Sequence, residues 1–275
     1  MTGNMRYRRH SLQSGFRARG FTLVELAVAF VIIALLLASI AIPFSTQLEL
    51  RDISDTRKQL DDIKEALIGF SMSQGRLPCP ADPTIGTGNT GAGIERASCS
   101  AGTTMMGVIP WATLGIRETD AWGRRFTYRV TAPFAQSTPP NYGCTSAPNP
   151  PPTMARFALC AQGDMTVNTK NTPTKSTPSA IATQVAAVVI SHGKNGYGAS
   201  QPTAVYVAAP PASHVDEITN ATAATTAFIS RDYSNDTNAC SDTVTNTPFC
   251  GFDDIVTWIS PSTLAARMVS AGKLP

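Results

Sequence analysis

The chain has 275 residues, of which 43% are hydrophobic and 15% are charged, and its formal net charge is +3. Five of its arginines and none of its acids fall within residues 1–20, so without this segment the formal charge would be −2. The basic balance therefore belongs to the N-terminus. The remaining chain lacks the basic surface that a nucleic-acid partner would require.

Residues 21–42 form an almost unbroken apolar stretch, in which only Thr22, Glu25 and Ser39 are polar. A helix of this length spans roughly 33 Å, close to the hydrocarbon thickness of a bilayer. The arginines before it predict that the N-terminus stays cytoplasmic and that everything after Pro43 is exported. A cleaved secretory signal has a shorter apolar region without an acid, and a plain membrane anchor leaves Glu25 unexplained.

The start of this stretch carries a more specific signal. A carboxylate in a membrane helix requires a partner and marks a functional site by default. The N-terminal signature of type IV pilins and type II secretion pseudopilins resembles the run Arg19-Gly20-Phe21-Thr22-Leu23-Val24-Glu25-Leu26. The resemblance implies that a membrane peptidase cleaves after Gly20 and methylates the amine of Phe21, and that Glu25 is required for assembly. Because pairing offsets much of the cost of two isolated charges, the amine of an incoming subunit can meet Glu25 of its neighbour.

Beyond Pro43, apolar residues recur at helical spacing from Phe44 to Phe70, and charged residues fill the other positions. This pattern predicts an amphipathic continuation of the helix to about residue 73, packed on a globular head. The predicted organisation is a leader at 1–20, a transmembrane half-helix at 21–43, an amphipathic half-helix at 44–75 and a periplasmic or extracellular head at 76–275.

The head is predicted as a small antiparallel sheet with long loops, which makes the fold class α+β and pilin-like. Its first part comprises an irregular segment at 76–110, a turn and strand at 120–130, and loops at 133–153 and 163–179 that flank a strand at 156–161. Its second part comprises a buried strand at 181–191, a glycine-rich turn at 193–198, a strand at 203–209, a polar insertion at 211–249, an edge strand at 253–259 and a terminal helix at 261–271.

All six cysteines follow the apolar stretch: Cys79, Cys99, Cys144, Cys160, Cys240 and Cys250. An even number in an exported region predicts disulfides formed in an oxidising compartment. Six cysteines allow 15 pairings, and we favour the pairing of sequence neighbours, 79–99, 144–160 and 240–250. A zinc site is disfavoured because no C-x-x-C motif with histidines is present.

Three segments of the head, in the order in which they follow along the chain, carry a second resemblance. They are the Asp-Ala-Trp-Gly turn at 120–123, the Ser-His-Gly-Lys-Asn-Gly turn at 191–196 and the Asp-Asp-Ile-Val run at 253–256. The head of the major pseudopilin of type II secretion is similar, and there a comparable turn and acidic pair surround a calcium ion. The resemblance implies a calcium site at Asn195, Asp253 and Asp254, with carbonyl oxygens of the turn. Asn195 stands where that family usually has an aspartate, which would weaken binding, and an ordinary capped turn is the alternative.

We expect no enzyme, because neither a nucleophile elbow nor a phosphate-binding loop is present. The resemblance implies a structural subunit, a minor pilin or pseudopilin, of a type II secretion pseudopilus or a type IV pilus. Its partners would be other pilin or pseudopilin subunits, the prepilin peptidase and an inner-membrane assembly platform. The mature chain would sit in the inner membrane and then in the filament. The alternative is a membrane-anchored adhesin or ligand-binding module, whose loops at 133–153 and 211–249 contact the ligand.

Overall fold

One long helix, α1, runs from Leu23 to Gln74. The computed structural model describes residues 20–136, 140–170, 177–223, 225–235 and 239–274. The chain divides into two compact units, Met1–Glu49 and Leu50–Pro275. Apart from Gly20, the predicted leader lies outside the described residues.

In the first unit, the apolar side chains that follow Gly20 are exposed. Leu23 is 87% exposed, Phe21 79% and Leu35 66%. The side chains of residues 38–46 are not among those described. Within the described part of the chain, no helix contains a stretch both long enough and apolar enough to cross a membrane. The membrane span at 21–43 therefore stays a prediction.

In the second unit, one face of α1 is buried in the main hydrophobic core. Its residues are at most 2% exposed and recur at helical steps: Leu60, Ile63, Leu67 and Ile68. This confirms the amphipathic pattern expected for this part of the helix. The helix ends at Gln74 because Gly75 adopts a φ of +75° and its N–H bonds the carbonyl of Ser71 at 2.8 Å, an ending that glycine permits at low cost.

After α1, the elements follow in the order β1 (Met106–Val108), α2 (Trp111–Leu114), β2 (Thr127–Val130), α3 (Ala132–Ala135), β3 (Met165–Thr169), β4 (Ser179–Val185), β5 (Ala187–Ser191), α4 (Val215–Ala221), β6 (Ala227–Ile229), β7 (Ile255–Ile259) and α5 (Pro261–Ser270). Four strands form an antiparallel sheet in the order β1-β2-β5-β7, so β7 is the edge strand that the sequence predicted. Both faces of β5 are buried, because the main core covers Ala187 and Val189 while a second core covers Val188 and Ile190.

A second sheet was not predicted. It has three strands in the order β4-β3-β6, and β3 pairs antiparallel with β4 but parallel with β6. The apolar run at 181–191, predicted as one strand, is two strands in different sheets. Gln184 adopts a φ of +55° just before the chain passes from β4 through Ala186 to β5.

Other predicted elements of the head were wrong. Residues 156–161 form turns, and the strand lies at β3, inside the predicted loop at 163–179. In β3, buried Met165 and Val167 alternate with half-buried Thr166 and Asn168, a period-two pattern typical of a strand. The predicted strand at 203–209 is reduced to a single bridge between Ser200 and Tyr206, and the polar insertion at 211–249 contains α4 and β6.

Three disulfides join the sequence neighbours that the analysis favoured: Cys79 with Cys99, Cys144 with Cys160 and Cys240 with Cys250. Each closes a local loop of the head. The last closes a segment within the predicted polar insertion and ends on a fully buried cysteine, Cys250.

A buried ion cluster of Lys170, Asp216, Arg231 and Asp242 fixes this insertion in the head. Arg231 Nε donates to Asp216 Oδ2 at 2.7 Å, and its Nη2 donates to Asp242 Oδ1 at 3.2 Å. Lys170 Nζ pairs with the other oxygen of Asp216. The Arg231 side chain is only 3% exposed, and its guanidinium lies 4.4 Å from the ring centroid of Phe252. These buried contacts anchor the described part of the insertion to the rest of the head.

Candidate functional site

Three carboxylates meet inside the head, where α4 approaches the residues that precede β7. One oxygen each of Glu217, Asp253 and Asp254 lies within 4.8 Å of the others. The antiparallel pairing of β5 with β7 brings the turn after β5 close to Asp253 and Asp254, which directly precede β7. Gly193 in that turn has a φ of +54°, and a β-carbon there would overlap the backbone carbonyl of Asp253.

Each carboxylate oxygen of Asp254 has a hydrogen-bond partner. Its Oδ2 accepts from the side-chain amide of Asn220 at 2.8 Å, and its Oδ1 lies 3.3 Å from Nδ1 of His192. His192 is completely buried, and its Nε2 lies 2.9 Å from the hydroxyl of Thr127. Burial disfavours a charged imidazole, yet the neighbouring carboxylates of Asp254, Asp120 and Asp253 raise the pKa of His192 overall.

Glu217 lies on α4 and contacts two side chains outside this helix. One belongs to the turn after β5, and the other directly precedes α4. Its Oε1 accepts from the side-chain nitrogen of Asn195 at 2.7 Å, and its Oε2 lies 3.2 Å from Nδ1 of His214. Burial, and next the charge of Asp254, raise the pKa of Glu217.

Asp253 is the least satisfied member of the cluster. Its Oδ2 accepts from the backbone N–H of Asn195 at 2.7 Å, but its Oδ1 is buried and has no hydrogen-bond partner among the described residues. Burial is the largest cause that raises the pKa of Asp253 to about 7, and the charges of Asp254 and Glu217 act in the same direction. The cluster thus brings three carboxylates together and leaves one of their oxygens, Asp253 Oδ1, without a hydrogen bond from the described residues.

The position of Asn195 differs from the one that the resemblance implied. Its side-chain oxygen accepts from the backbone N–H of Tyr197 at 3.0 Å, and its nitrogen points to Glu217. The third oxygen beside Asp253 and Asp254 therefore belongs to Glu217. The acids that follow His214 are typical of the first turn of a helix, but this pattern does not show that Glu217 approaches Asp253.

The donor set suits a hard cation. Carboxylate oxygens are the ligands that calcium prefers, whereas zinc prefers nitrogen and sulfur. Glu217, Asp253 and Asp254 would hold such an ion, which would neutralise their mutual repulsion.

At the other end of the chain, Gly20 and Phe21 lie in non-helical backbone before α1. Gly20 is exposed, and no atom of the described residues lies within 4 Å of the place where a β-carbon would stand. Phe21 is 79% exposed. This geometry leaves the peptide bond between them open to an enzyme.

Thr22 and Glu25 form a reciprocal cap at the start of α1. The backbone N–H and the hydroxyl of Thr22 donate to Glu25 Oε2 at 3.1 and 3.0 Å, and the N–H of Glu25 donates to the Thr22 hydroxyl at 3.3 Å. This is a capping box, whose Thr-x-x-Glu pattern is readable in the sequence but was overlooked. One carboxylate oxygen is therefore satisfied within the chain, while Oε1 accepts no hydrogen bond from the described residues.

Comparison with known proteins bears on this end of the chain. Residues 15–41 match the family model for the prokaryotic N-terminal methylation motif. The chain carries the prepilin-type signature of type IV pilins and pseudopilins. No curated protein and no solved structure matched the chain.

Gly20, Phe21 and Glu25 lie within the matched residues, and their individual roles stay predictions. The signature implies processing by a prepilin peptidase and assembly with other pilin subunits. The acidic cluster lies outside the matched residues, so its chemistry is argued from its own geometry.

Proposed function

We propose that this chain is a structural subunit, a minor pilin or pseudopilin, of a type II secretion pseudopilus or a type IV pilus. The match of residues 15–41 to the methylation motif carries this proposal. The prepilin peptidase would cleave after Gly20 and methylate Phe21. The mature chain would stay in the inner membrane, with its head in the periplasm, until an inner-membrane platform moves it into the filament.

The exposed apolar surface of α1 supports assembly through the helix. Large apolar side chains from Phe21 to Leu37 are each at least half exposed in the single chain. A contiguous apolar surface of this kind requires a lipid or protein cover. A bilayer would cover it before assembly, and the helices of neighbouring subunits would cover it afterwards.

The capping box explains how Glu25 can be accommodated both in the bilayer and in the filament. Because Thr22 already bonds Oε2, the carboxylate keeps part of its hydrogen bonding when water is withdrawn. Its second oxygen stays available to the amine that cleavage creates on Phe21 of another subunit. A carboxylate accepts about four hydrogen bonds, so the two contacts are compatible. The pairing would set the axial register of adjacent subunits.

Mass spectrometry of the mature protein tests the processing step. We expect an N-methylated chain that begins at Phe21. A mature chain that begins at Ile42, as cleavage of an ordinary secretory signal after Ala41 would give, or one that keeps its leader, would refute the proposal.

Filament incorporation tests the assembly step. Glu25→Ala should abolish incorporation, seen by immunogold labelling, while membrane insertion is retained. Glu65→Ala is the matched control, since Glu65 is an exposed acid of the same helix, 62% exposed in its ion pair with Arg267. Normal incorporation of Glu25→Ala would contradict the mechanism, and a wild-type chain found only on the membrane would favour the anchored adhesin.

For the head, we propose a second, stabilising function as a cation site. The buried Asp253 Oδ1, which accepts no hydrogen bond from the described residues, favours it, because calcium would bind that oxygen together with Glu217 and Asp254. Thermal unfolding of the full-length chain with calcium, with magnesium and with a chelator tests this. An unfolding temperature that does not respond to calcium would refute it.

A further inference from the structure

Four charged residues of alternating sign follow one side of α1 in the second unit. We call Arg51, Asp55, Lys58 and Asp62 the groove stripe, because they line a groove of about 800 Å³. They recur every three or four residues, so each charge lies about one helical turn, roughly 5.5 Å, from the next. Arg117 also lines the groove, and Ile63 and Phe126 are among its apolar lining residues.

A second set of alternating charges follows another side of the same helix. We call Arg57, Asp61 and Lys64 the outer stripe. Its steps are also four and three residues, so its charges repeat at the same interval as those of the groove stripe. At 100° per residue, the groove stripe lies opposite the buried Leu60, and the outer stripe lies at the border between the exposed and the buried face, where the buried Ile68 continues its line.

Most of these charged side chains have no ion-pair or hydrogen-bond partner among the described residues. The groove stripe contains one ion pair, Arg51 with Asp55 at 3.8 Å, whose side chains are 75% and 56% exposed. Among the described residues, the side chains of Lys58, Asp62 and the whole outer stripe have no hydrogen-bond or ion-pair partner. In the groove itself, the side-chain oxygen of Gln59 is buried and accepts no hydrogen bond from the described residues.

We propose that the outer stripe of one copy of this chain docks on the groove stripe of the next copy. Since the two stripes share one interval, a parallel helix shifted by two or three residues pairs all three outer charges at once. Arg57 then meets Asp55, Asp61 meets Lys58, and Lys64 meets Asp62. The inference rests on the proposed filament function and names one of its subunit contacts.

The geometry of this contact fits an open assembly. The two stripes are different surfaces of one chain, so the interface is heterologous, and such interfaces build helical filaments when the rotation does not close. Complementary charges mainly set register and partner choice. The contact requires that copies of this chain adjoin each other in the filament.

The test is a mixing experiment with full-length chains in the producing strain. Lys58→Glu reverses the centre of the groove stripe, and Asp61→Lys reverses the centre of the outer stripe. Each variant alone should enter purified filaments about tenfold less than the wild type. Co-expression of the two variants should restore incorporation, because Glu at position 58 of one copy then faces Lys at position 61 of the other.

Mixing distinguishes a contact between copies from a defect within one helix. Each variant chain keeps its own substitution in the mixture, so rescue can come only from the contact between the two. Arg156→Glu, an exposed charge reversal outside the stripes, is the control and should incorporate normally. Normal incorporation of both single variants, or no rescue on mixing, would overturn the inference. If Glu25→Ala fails in the same experiment, the filament function stands without this contact. If Glu25→Ala also incorporates normally, the proposed function itself fails.

Discussion

Replacing Asp253 with asparagine should stabilise the metal-free protein at neutral and alkaline pH. In the folded chain, the half-buried Asp253 lies beside Glu217 and Asp254, and its buried Oδ1 has no partner among the described residues. The amide in Asp253→Asn keeps an acceptor for the N–H of Asn195 and places an NH2 group where the unsatisfied oxygen stood. It therefore removes a charge and adds a donor toward the two remaining carboxylates.

The magnitude follows from the pKa of Asp253, which is about 7 in the folded protein against an ordinary value of 3.8. A folded-state pKa above the unfolded one means that the folded protein binds the proton more tightly. Stability is therefore highest below about pH 4 and is lost as the pH rises through about 7. A difference of about 3 pKa units corresponds to at most about 4 kcal/mol, and relaxation of the site lowers the expected gain to about 2–3 kcal/mol at pH 8.

The assay is urea unfolding of the full-length chain in mild detergent at pH 4 and pH 8, with a chelator and then with calcium. Asp253→Asn and wild type should be equally stable at pH 4, and the variant more stable at pH 8. Calcium should stabilise the wild type by about 2.7 kcal/mol at 100 times its dissociation constant, and the variant much less. Asp232→Asn, at an exposed aspartate, should change neither value. A variant that is less stable than the wild type at pH 8 without calcium would refute the reasoning.

Two further predictions concern the packing of the head, and denaturant unfolding measures both. Arg231→Met leaves two carboxylates of the ion cluster without their bridging cation and should cost about 3–5 kcal/mol, whereas Arg267→Ala, which breaks an exposed pair, should cost less than about 1 kcal/mol. An equal effect of the two would contradict the cluster's role. Gly163→Ala should destabilise strongly because its β-carbon would overlap the backbone of Val185, while Gly69→Ala, in open space on α1, should stabilise by about 0.5–1 kcal/mol. A tolerated Gly163→Ala would show that this backbone approach is not as close as described.

The prepilin-type signature could be predicted from the sequence because its residues are close together in the chain. Gly20, Phe21 and Glu25 are separated by at most five positions, and the apolar run that follows them needs no tertiary information. The buried face of α1 was readable for the same reason, since helical periodicity alone selects Leu60 and Ile63. Sequence neighbours also sufficed for the three disulfides.

The head was harder because its sheets are assembled from distant segments. Residues 181–191 form one largely apolar run, which predicts a single buried strand. Nothing in the local sequence shows that the chain changes sheets at Ala186. The alternation in β3 was visible, but threonine and asparagine made it resemble a loop. Glu217 reaches the acidic turn only through tertiary packing of α4, so no spacing rule places it beside Asp253.

The packing of α4 also explains how the head tolerates an acidic cluster. Three neighbouring carboxylates in a buried setting repel each other, and such local destabilisation persists only where the surrounding structure holds it in place. The ion cluster supplies that constraint, because Asp216, adjacent to Glu217 on α4, is bound by both Arg231 and Lys170. Asn220 of the same helix bonds the carbonyl of Ile229 at 2.9 Å as well as Asp254. The position of Glu217 is thus fixed by contacts that do not depend on a bound ion, which gives a preformed set of oxygens whose repulsion a cation would relieve.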